Sequence, residues 1–319
     1  MTDETTDETT PRTQADSGWK DIIPHFVEQF FQFYFPDIHA AIDFSTPPRF
    51  LDTVLNEIMA DAESRGAIAD RLLEAKTRSG GTQWLLIHIE VQGYRDSDFA
   101  KRMFTTYYRV LDRYDRDVVS LVVFTDDSPA FRPAVYERGI LGCGLTFRYP
   151  TVKLLDYRER VTELEQSDNP FAIVTLSELG RIRTQQSPEE RLVVRKSLTD
   201  RLRSIGYSME DIRTLYRFIG SVLVLPKPQI LDYIQFVKQL QEDDTMPFVT
   251  DTEQIARQEG LHEGGLQGRR EDVIDALEIR FGEIPYALRE AVNRIASEKR
   301  LKRLHRLAIT VKSLDDFKV

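Results

Sequence analysis

The sequence predicts an α/β fold in which helices flank a mixed central sheet, followed by an α-helical C-terminal half. Three observations predict it. Aromatic residues recur at helical spacing after Trp19, apolar runs typical of strands lie between Ala67 and Leu155, and the pattern is helical after about Tyr157. The first half has the order helix, strand, strand, helix, strand, strand, which is typical of an α/β sandwich with a mixed sheet.

The first predicted helix begins at about Trp19 and ends before Pro36. Its apolar face recurs with a period of about 3.6 residues and consists of Phe26, Phe30, Phe31 and Tyr34. The preceding residues, 1–17, are polar and acidic and lack aromatic side chains, so we expect them to be disordered. Residues 50–58, after this helix, contain apolar positions that fit more than one type of element.

The next elements form a predicted β-hairpin. Residues 68–76 are its first strand, the Ser-Gly-Gly sequence at residues 79–81 is a turn, and the apolar run over residues 84–91 is its second strand. The two strands are therefore expected to lie side by side in the sheet.

A helix and two further strands complete the predicted α/β half. Asp98 in the first turn and a continuous apolar face indicate a helix over residues 97–115. The uninterrupted apolar run over residues 118–124 is typical of a strand that is buried on both faces. Residues 145–155 are expected to add a last strand, which Pro150 interrupts because proline removes a hydrogen bond of the sheet.

The C-terminal half is predicted to consist of helices and one linker. Residues 158–242 form a helical extension, in which Pro188 begins a helix with acidic residues in its first turn. Residues 243–252 are polar, contain proline and are interpreted as a linker. Residues 253–319 are expected to form a C-terminal helical segment.

The last predicted helix, over residues 286–309, carries the most basic stretch of the chain, residues 298–306. Leucines recur within this stretch at helical spacing, which indicates an amphipathic helix. Such a helix either closes the last bundle or binds nucleic acid, a partner protein or a second copy of the chain.

Composition limits the classes of function that fit the chain. The net charge is −9 and the pI about 5.3, so any contact with DNA must come from a local basic patch rather than from bulk charge. The single cysteine, Cys143, excludes an internal disulfide and is expected to pack as a buried thiol. An apolar run of membrane-spanning or secretory type is absent from the sequence, so we expect a cytoplasmic protein without a membrane partner.

The residues that indicate chemistry lie at the end of the second strand of the hairpin. Residues two apart on a strand share a face, so His88, Glu90 and Gln92 point the same way, and Asp70 on the first strand can bring a second carboxylate to the same place. A buried carboxylate needs a cation or a donor. Two carboxylates suit Mg²⁺ (or Mn²⁺), which can lower the pKa of a bound water and stabilise charge on a phosphodiester. The sequence therefore predicts a divalent-metal site at Asp70 and Glu90.

This pattern resembles the PD-(D/E)XK nuclease superfamily, with Gln92 in the place of the usual lysine. More narrowly, the sequence IHIEVQG over residues 87–93, followed by DFAKRM over residues 98–103 and YYR over residues 107–109, looks like the Rpn/YhgA family. Members of that family are described as recombination-promoting nucleases or transposases. The likeness extends to the helix that ends at Pro36 and to RFG and IP over residues 280–285, and thus to most of the chain.

The resemblance implies a restriction-endonuclease-like core over residues 18–157, dependence on Mg²⁺ (or Mn²⁺), and cleavage of DNA in recombination or mobile-element processes. By position, Asp70 and Glu90 would hold the metal, and Gln92 would replace the catalytic lysine. A neutral glutamine can orient water but supplies no charge. An active endonuclease and a catalytically inactive fold that binds DNA or a protein therefore both remain open.

Four further residues are candidates for the same site, each with a plainer alternative. His88 either joins the site or is a hydrogen-bonded core histidine, and Glu28 on the first helix is either an auxiliary metal ligand or part of a solvated face. Lys101 and Arg102 either contact a phosphate backbone or pair with acids on their helix. For the central residues, the alternative is that Asp70 pairs with an arginine at a surface and Glu90 simply ends an edge strand.

Overall fold

The structure is a computed structural model that describes residues 18–59, 69–78, 84–242, 269–282, 284–293, 295, 297–311, 313–314 and 317. The predicted disordered segment (residues 1–17), the turn at residues 79–81 and the predicted linker (residues 243–252) lie outside the described residues. The chain divides into two compact units, Met1–Pro247 and Phe248–Val319.

A five-stranded sheet forms the centre of the first unit. The strands of this unit are β1 (Arg49–Phe50), β2 (Ala69–Lys76), β3 (Trp84–Gln92), β4 (Val118–Phe124), β5 (Val135–Ile140), β6 (Cys143–Arg148) and β7 (Thr151–Lys153). The order in the sheet is β1-β2-β3-β4-β7, with antiparallel pairs from β1 to β3 and parallel pairs from β3 to β7. The predicted α/β fold with a mixed sheet is confirmed.

Helices surround this sheet and continue to the end of the first unit. They are α1 (residues 18–25), α2 (Val27–Tyr34), α3 (Pro36–Ala41), α4 (Asp52–Met59), α5 (Phe99–Tyr114), α6 (Val161–Gln166), α7 (Pro170–Arg183), α8 (Pro188–Ser204), α9 (Met209–Val222) and α10 (Lys227–Glu242), with a 3-10 helix over Leu154–Arg160. The start of α8 at Pro188 follows from its cap, because the Ser187 side chain accepts a hydrogen bond from the backbone N–H of Glu190. The elements that the structure describes after Tyr157 in this unit are all helical, as predicted.

Helix α5 covers one face of the sheet. Its residues Phe99 and Met103 pack against Val122 and Phe124 of β4. Because side chains alternate along a strand, Glu90 and Gln92 on β3 point to this same face. The opposite face is also inaccessible to solvent, as shown by Leu73, Ile87, Ile89, Leu121 and Val123, which are 0% exposed. The polar end of β3 therefore lies in the interior of the unit, underneath α5.

Parts of this unit differ from the sequence prediction, and one segment that the sequence left unassigned has a definite structure. The strand expected over residues 145–155 is divided at Pro150: the part before it belongs to a separate β5–β6 hairpin, and the part after it is β7 in the main sheet. The β5–β6 hairpin was missed. Cys143 lies exposed in it, so the expectation of a buried thiol is wrong. The ambiguous residues 50–58 complete β1 and form most of α4.

The second unit contains helices α11 (residues 269–281), α12 (Tyr286–Asn293) and α13 (Glu298–Thr310). The single helix predicted over residues 286–309 is therefore two helices. Ser297 caps α13 by accepting a hydrogen bond from the backbone N–H of Arg300. Leu301 and Leu304 are buried in the apolar cluster of this unit, so the leucine stripe of α13 packs inside the unit. No helix in the described ranges combines the length and apolarity that a membrane crossing requires.

Candidate metal centre

The register of the β2–β3 hairpin brings two carboxylates together. Asp70, near the start of β2, lies directly opposite Glu90, near the end of β3. Side chains that lie directly opposite on antiparallel strands share a face of the sheet. His88, two residues before Glu90, faces the same way. Asp70, His88 and Glu90 each offer one ligand atom, and these atoms all lie within 4.8 Å of one another, so the group can bind a metal ion.

The group is buried except at Asp70. The side chains of His88 and Glu90 are 0% and 2% exposed, whereas that of Asp70 is 42% exposed. Water and dissolved ions or ligands therefore reach the group from the side on which Asp70 lies.

His88 Nε2 lies too far from both carboxylates for a hydrogen bond. His88 Nε2 lies 3.7 Å from Asp70 Oδ1 and 3.6 Å from Glu90 Oε2, beyond the usual range for such bonds. Within the described part of the chain, both ring nitrogens of His88 and Asp70 Oδ1 are buried without a hydrogen-bond partner. Unsatisfied buried polar atoms are costly and need an explanation. A cation bound by Asp70 Oδ1 and one ring nitrogen of His88 would satisfy these two atoms, so the group fits a metal ion.

Arg102 is in direct contact with the group. It lies in the first turn of α5, where Nη2 donates to Glu90 Oε1 at 2.9 Å and to Gln92 Oε1 at 2.8 Å, and Nη1 pairs with Asp96. Its side chain is only 13% exposed. Arg102 therefore belongs to the buried site itself, and it pairs with acids of the neighbouring strand and loop rather than with those of its own helix.

Gln92 holds this arginine in place. Its side chain is fully buried, and the amide uses both ends, because Nε2 donates to the backbone oxygen of Tyr94 at 2.7 Å while Oε1 accepts from Arg102. The structure thus places Gln92 beside the carboxylates as predicted from strand spacing, but in a role that positions Arg102.

The remaining candidates lie outside the group. Among the described residues, Glu28 is not part of it, and its Oε1 lies 3.5 Å from Nε2 of His39 on α3. Lys101 is exposed on the first turn of α5. A buried lysine does lie at the same end of the sheet, because Lys153 on β7 is in register with Phe124, which is in register with Gln92. Two strand spacings, about 10 Å, separate it from β3, and it is engaged by Asp126 at 2.6 Å.

Tyr149 is a site residue that the sequence did not reveal. Its hydroxyl is buried and has no hydrogen-bond partner among the described residues. Its ring packs in the apolar cluster that contains Phe99 and Met103 of α5. Burial raises the pKa of this phenol, and the negative charge of Glu90 adds to the rise. Nothing in the local pattern around Pro150 points to this contact, because it depends on how the β5–β6 hairpin joins β7.

The carboxyl groups and the imidazole have displaced pKa values. Burial raises the pKa of Glu90 to about 8, and the charge of Asp70 adds to this rise. Burial opposes the charge on His88, but the interactions with Asp70 and Glu90 outweigh it and raise the pKa of the imidazole to about 9. Burial also opposes the ionisation of Asp70, yet Glu90 and His88 together lower the pKa of that carboxyl to about 2. Because a metal binds ionised carboxylates and a neutral imidazole, a bound cation would lower the pKa values of Glu90 and His88.

We expect the metal-free protein to lose stability as the pH rises from about 6.5 to about 9. The pKa of His88 is raised from 6.5 to about 9 on folding, so its contribution is complete below 6.5 and disappears as the pH passes 9. The pKa of Glu90, raised from 4.5 to about 8, acts in the same direction. Urea denaturation in the presence of a chelator measures this loss, and His88→Asn should reduce it. A free energy of unfolding that increases over this pH range would contradict the assignment.

Comparison with known proteins gives no further identification: no family model, no curated protein and no solved structure matches the chain. The resemblance to the Rpn/YhgA family therefore has no support beyond the motifs that suggested it.

Proposed function

We propose that the chain is a metal-dependent endonuclease of the PD-(D/E)XK type, which hydrolyses phosphodiester bonds in DNA and serves recombination or mobile-element processes. The observation that carries the proposal is the convergence of Asp70 and Glu90 beside unpartnered buried nitrogens of His88. Two carboxylates and an accessible position at Asp70 are what a hydrolytic metal site requires.

The order of the elements supports the proposal. An N-terminal helix precedes an antiparallel hairpin that carries both acids, and a crossover helix, α5, then leads to the parallel strand β4. This is the order in which the resemblance places a restriction-endonuclease-like core. The acidic pair lies where β2 begins and β3 ends, so the fold holds it on rigid elements.

The chain's own residues have distinct roles in this proposal. A divalent cation at Asp70 and Glu90 would lower the pKa of a water and offset charge on the scissile phosphate. Arg102 supplies the positive charge that Gln92 lacks, since a guanidinium can stabilise negative charge as it develops on a phosphate oxygen. Gln92, Glu90 and Asp96 fix the position of that guanidinium. The missing lysine is thus replaced by an arginine from the adjacent helix.

The direct test is a nicking assay on supercoiled plasmid with the full chain. We expect conversion to open circles in the presence of Mg²⁺ or Mn²⁺ and none in the presence of a chelator. Equal conversion under both conditions would indicate a contaminant or a metal-independent activity. A lack of conversion with every divalent ion, in protein shown to bind the ion, would refute the proposal.

One observation favours the alternative, a catalytically inactive fold that binds DNA or a protein partner. Arg102 already occupies an oxygen of Glu90 and the amide oxygen of Gln92, so the site is partly neutralised from within. The alternative predicts binding that is unchanged by Asp70→Ala and independent of divalent ions. Loss of binding in that variant would count against it.

Two exposed cations are the local basic patch that an acidic protein needs for binding DNA. Arg95 follows β3 by three residues, and Lys101 is adjacent to Arg102 in the first turn of α5. Both side chains are exposed, and both lie on segments that form the metal centre. Contacts from such residues to phosphates give affinity without sequence preference.

We expect the double variant Arg95→Ala, Lys101→Ala to bind DNA more weakly and to lower the salt slope of binding by about 2. Fluorescence anisotropy with labelled duplex DNA in a chelator measures both quantities without cleavage. A charge-matched control changes Arg160 and Arg203, which lie in the helical extension. If the control lost as much affinity for DNA as the test variant, Arg95 and Lys101 would not form the DNA-binding surface.

A further inference from the structure

We infer that the metal centre selects a first-row transition ion, represented by Mn²⁺, over Mg²⁺, because His88 supplies an imidazole nitrogen as a third protein ligand. The inference rests on the metal site of the proposed function and specifies its ion. It concerns a residue that the resemblance does not assign to metal binding.

The first support is that His88 is buried without a partner. The side chain is 0% exposed, and in the described structure neither ring nitrogen makes a hydrogen bond. On the adjacent strand β4, Ser120 is in register with His88, and its hydroxyl is likewise buried without a partner among the described residues. An imidazole normally satisfies both nitrogens in a protein interior. A metal bound to one ring nitrogen would give that nitrogen the partner that the described side chains do not supply.

The second support is the spacing of the atoms. A protonated imidazole that merely bridged two carboxylates would make hydrogen bonds of roughly 2.7 to 3.2 Å. The observed separations from Nε2 to Asp70 Oδ1 and Glu90 Oε2 are 3.7 and 3.6 Å. Ligand atoms that share an ion at about 2.1 Å lie roughly 3 to 4 Å apart. The arrangement therefore fits a shared ion better than a hydrogen-bonded triad.

The third support is the chemistry of the donor set. Mg²⁺ prefers oxygen ligands and retains several waters, whereas imidazole nitrogen is a better ligand for the later first-row ions. Mn²⁺ binds carboxylates as readily as Mg²⁺ does, and it is also a first-row transition ion. A set of two carboxylates and one imidazole therefore favours Mn²⁺ over Mg²⁺. The exposed side of Asp70 leaves room for water ligands.

The test is electron spin-echo envelope modulation of the full chain with one equivalent of Mn²⁺, which detects ¹⁴N nuclei bonded to the ion. We expect nitrogen modulation in the wild type and its loss in His88→Asn. The matched control is His39→Asn, since His39 also lies beside a carboxylate, with Nε2 3.5 Å from Glu28 Oε1, but has no second acid beside it among the described residues. This control should retain the modulation.

Calorimetric titration provides the second readout. Mn²⁺ should bind the wild type at least about 10-fold more tightly than Mg²⁺, and His88→Asn should weaken Mn²⁺ binding by about 10- to 100-fold while changing Mg²⁺ binding little. Absence of nitrogen modulation in the wild type, or an unchanged preference in His88→Asn, would overturn the inference. Failure of the nuclease proposal is a separate result: a chain that binds Mn²⁺ through nitrogen and cuts no DNA would refute that proposal alone.

Discussion

Asp70→Asn and Glu90→Gln are each expected to lower metal-dependent DNA cleavage by about a thousandfold. Each change keeps the size of the side chain and removes a negative charge that holds the cation. Metal ions supply several kcal/mol of transition-state stabilisation, and each 1.4 kcal/mol corresponds to a factor of ten in rate. The loss should appear in the rate at saturating DNA, because the proposed contacts of Arg95 and Lys101 with the phosphate backbone would be unchanged.

Single-turnover cleavage of a supercoiled plasmid measures this effect. Glu28→Gln is the matched control, since it removes the same charge from a residue that the structure keeps outside the group. The control should cut like the wild type. Should Asp70→Asn retain wild-type cleavage while Glu28→Gln loses it, the site would lie elsewhere.

Arg102→Gln is expected to have the second-largest effect, on both cleavage and stability. The change removes the cationic partner of Glu90, whose side chain is 2% exposed, and breaking such a buried pair typically costs about 3 to 5 kcal/mol. It also removes the positive charge near the scissile phosphate, so we expect cleavage to fall by about 100-fold or more. Arg102→Lys keeps the charge but cannot contact Glu90, Gln92 and Asp96 together, and should give an intermediate result.

A divalent ion should restore part of the stability that Arg102→Gln loses, because the ion offsets the charge of Glu90 in place of the guanidinium. Urea denaturation with a chelator and with Mn²⁺ measures this difference. The control is Arg132→Gln, which breaks the arginine–carboxylate pair with Asp156 at the surface, where the two side chains are 44% and 54% exposed. An exposed pair contributes about 1 kcal/mol or less. A similar loss of stability in both variants would mean that the Arg102–Glu90 pair contributes no more than an exposed pair.

The carboxylate pair could be predicted from the sequence because strand geometry is strict. Side chains alternate with a period of two, so Glu90 and Gln92 had to share a face with His88. The acids lie near opposite ends of their strands, and antiparallel pairing brings those ends together. The position of Asp70 beside Glu90 could therefore be predicted from local spacing.

The role of Arg102 could not be predicted in the same way. Its spacing from Phe99 and Met103 places it near the apolar face of α5, but its contacts depend on how that helix crosses the sheet. Crossing geometry is set by packing between distant segments, which local periodicity does not contain. The sequence indicated a cation near the site but not that this cation would be buried within it.

The β5–β6 hairpin was missed for a different reason. Its strands are mostly exposed, and Glu137, Arg138 and Gly139 interrupt the alternation of apolar and polar residues that identifies a half-buried strand. The division between α12 and α13 was missed because the leucine stripe of α13 suggested continuity, although Ser297 is a typical cap. In both places, packing between segments determines the structure, and the local sequence pattern does not reveal it.

The most direct measurement for the metal centre is anomalous diffraction from crystals of the full chain grown with Mn²⁺. We expect a manganese peak within bonding distance of one oxygen from Asp70, one oxygen from Glu90 and one nitrogen from His88. A well-ordered site that instead shows these three side chains bonded to one another, with manganese bound elsewhere on the chain, would contradict this expectation.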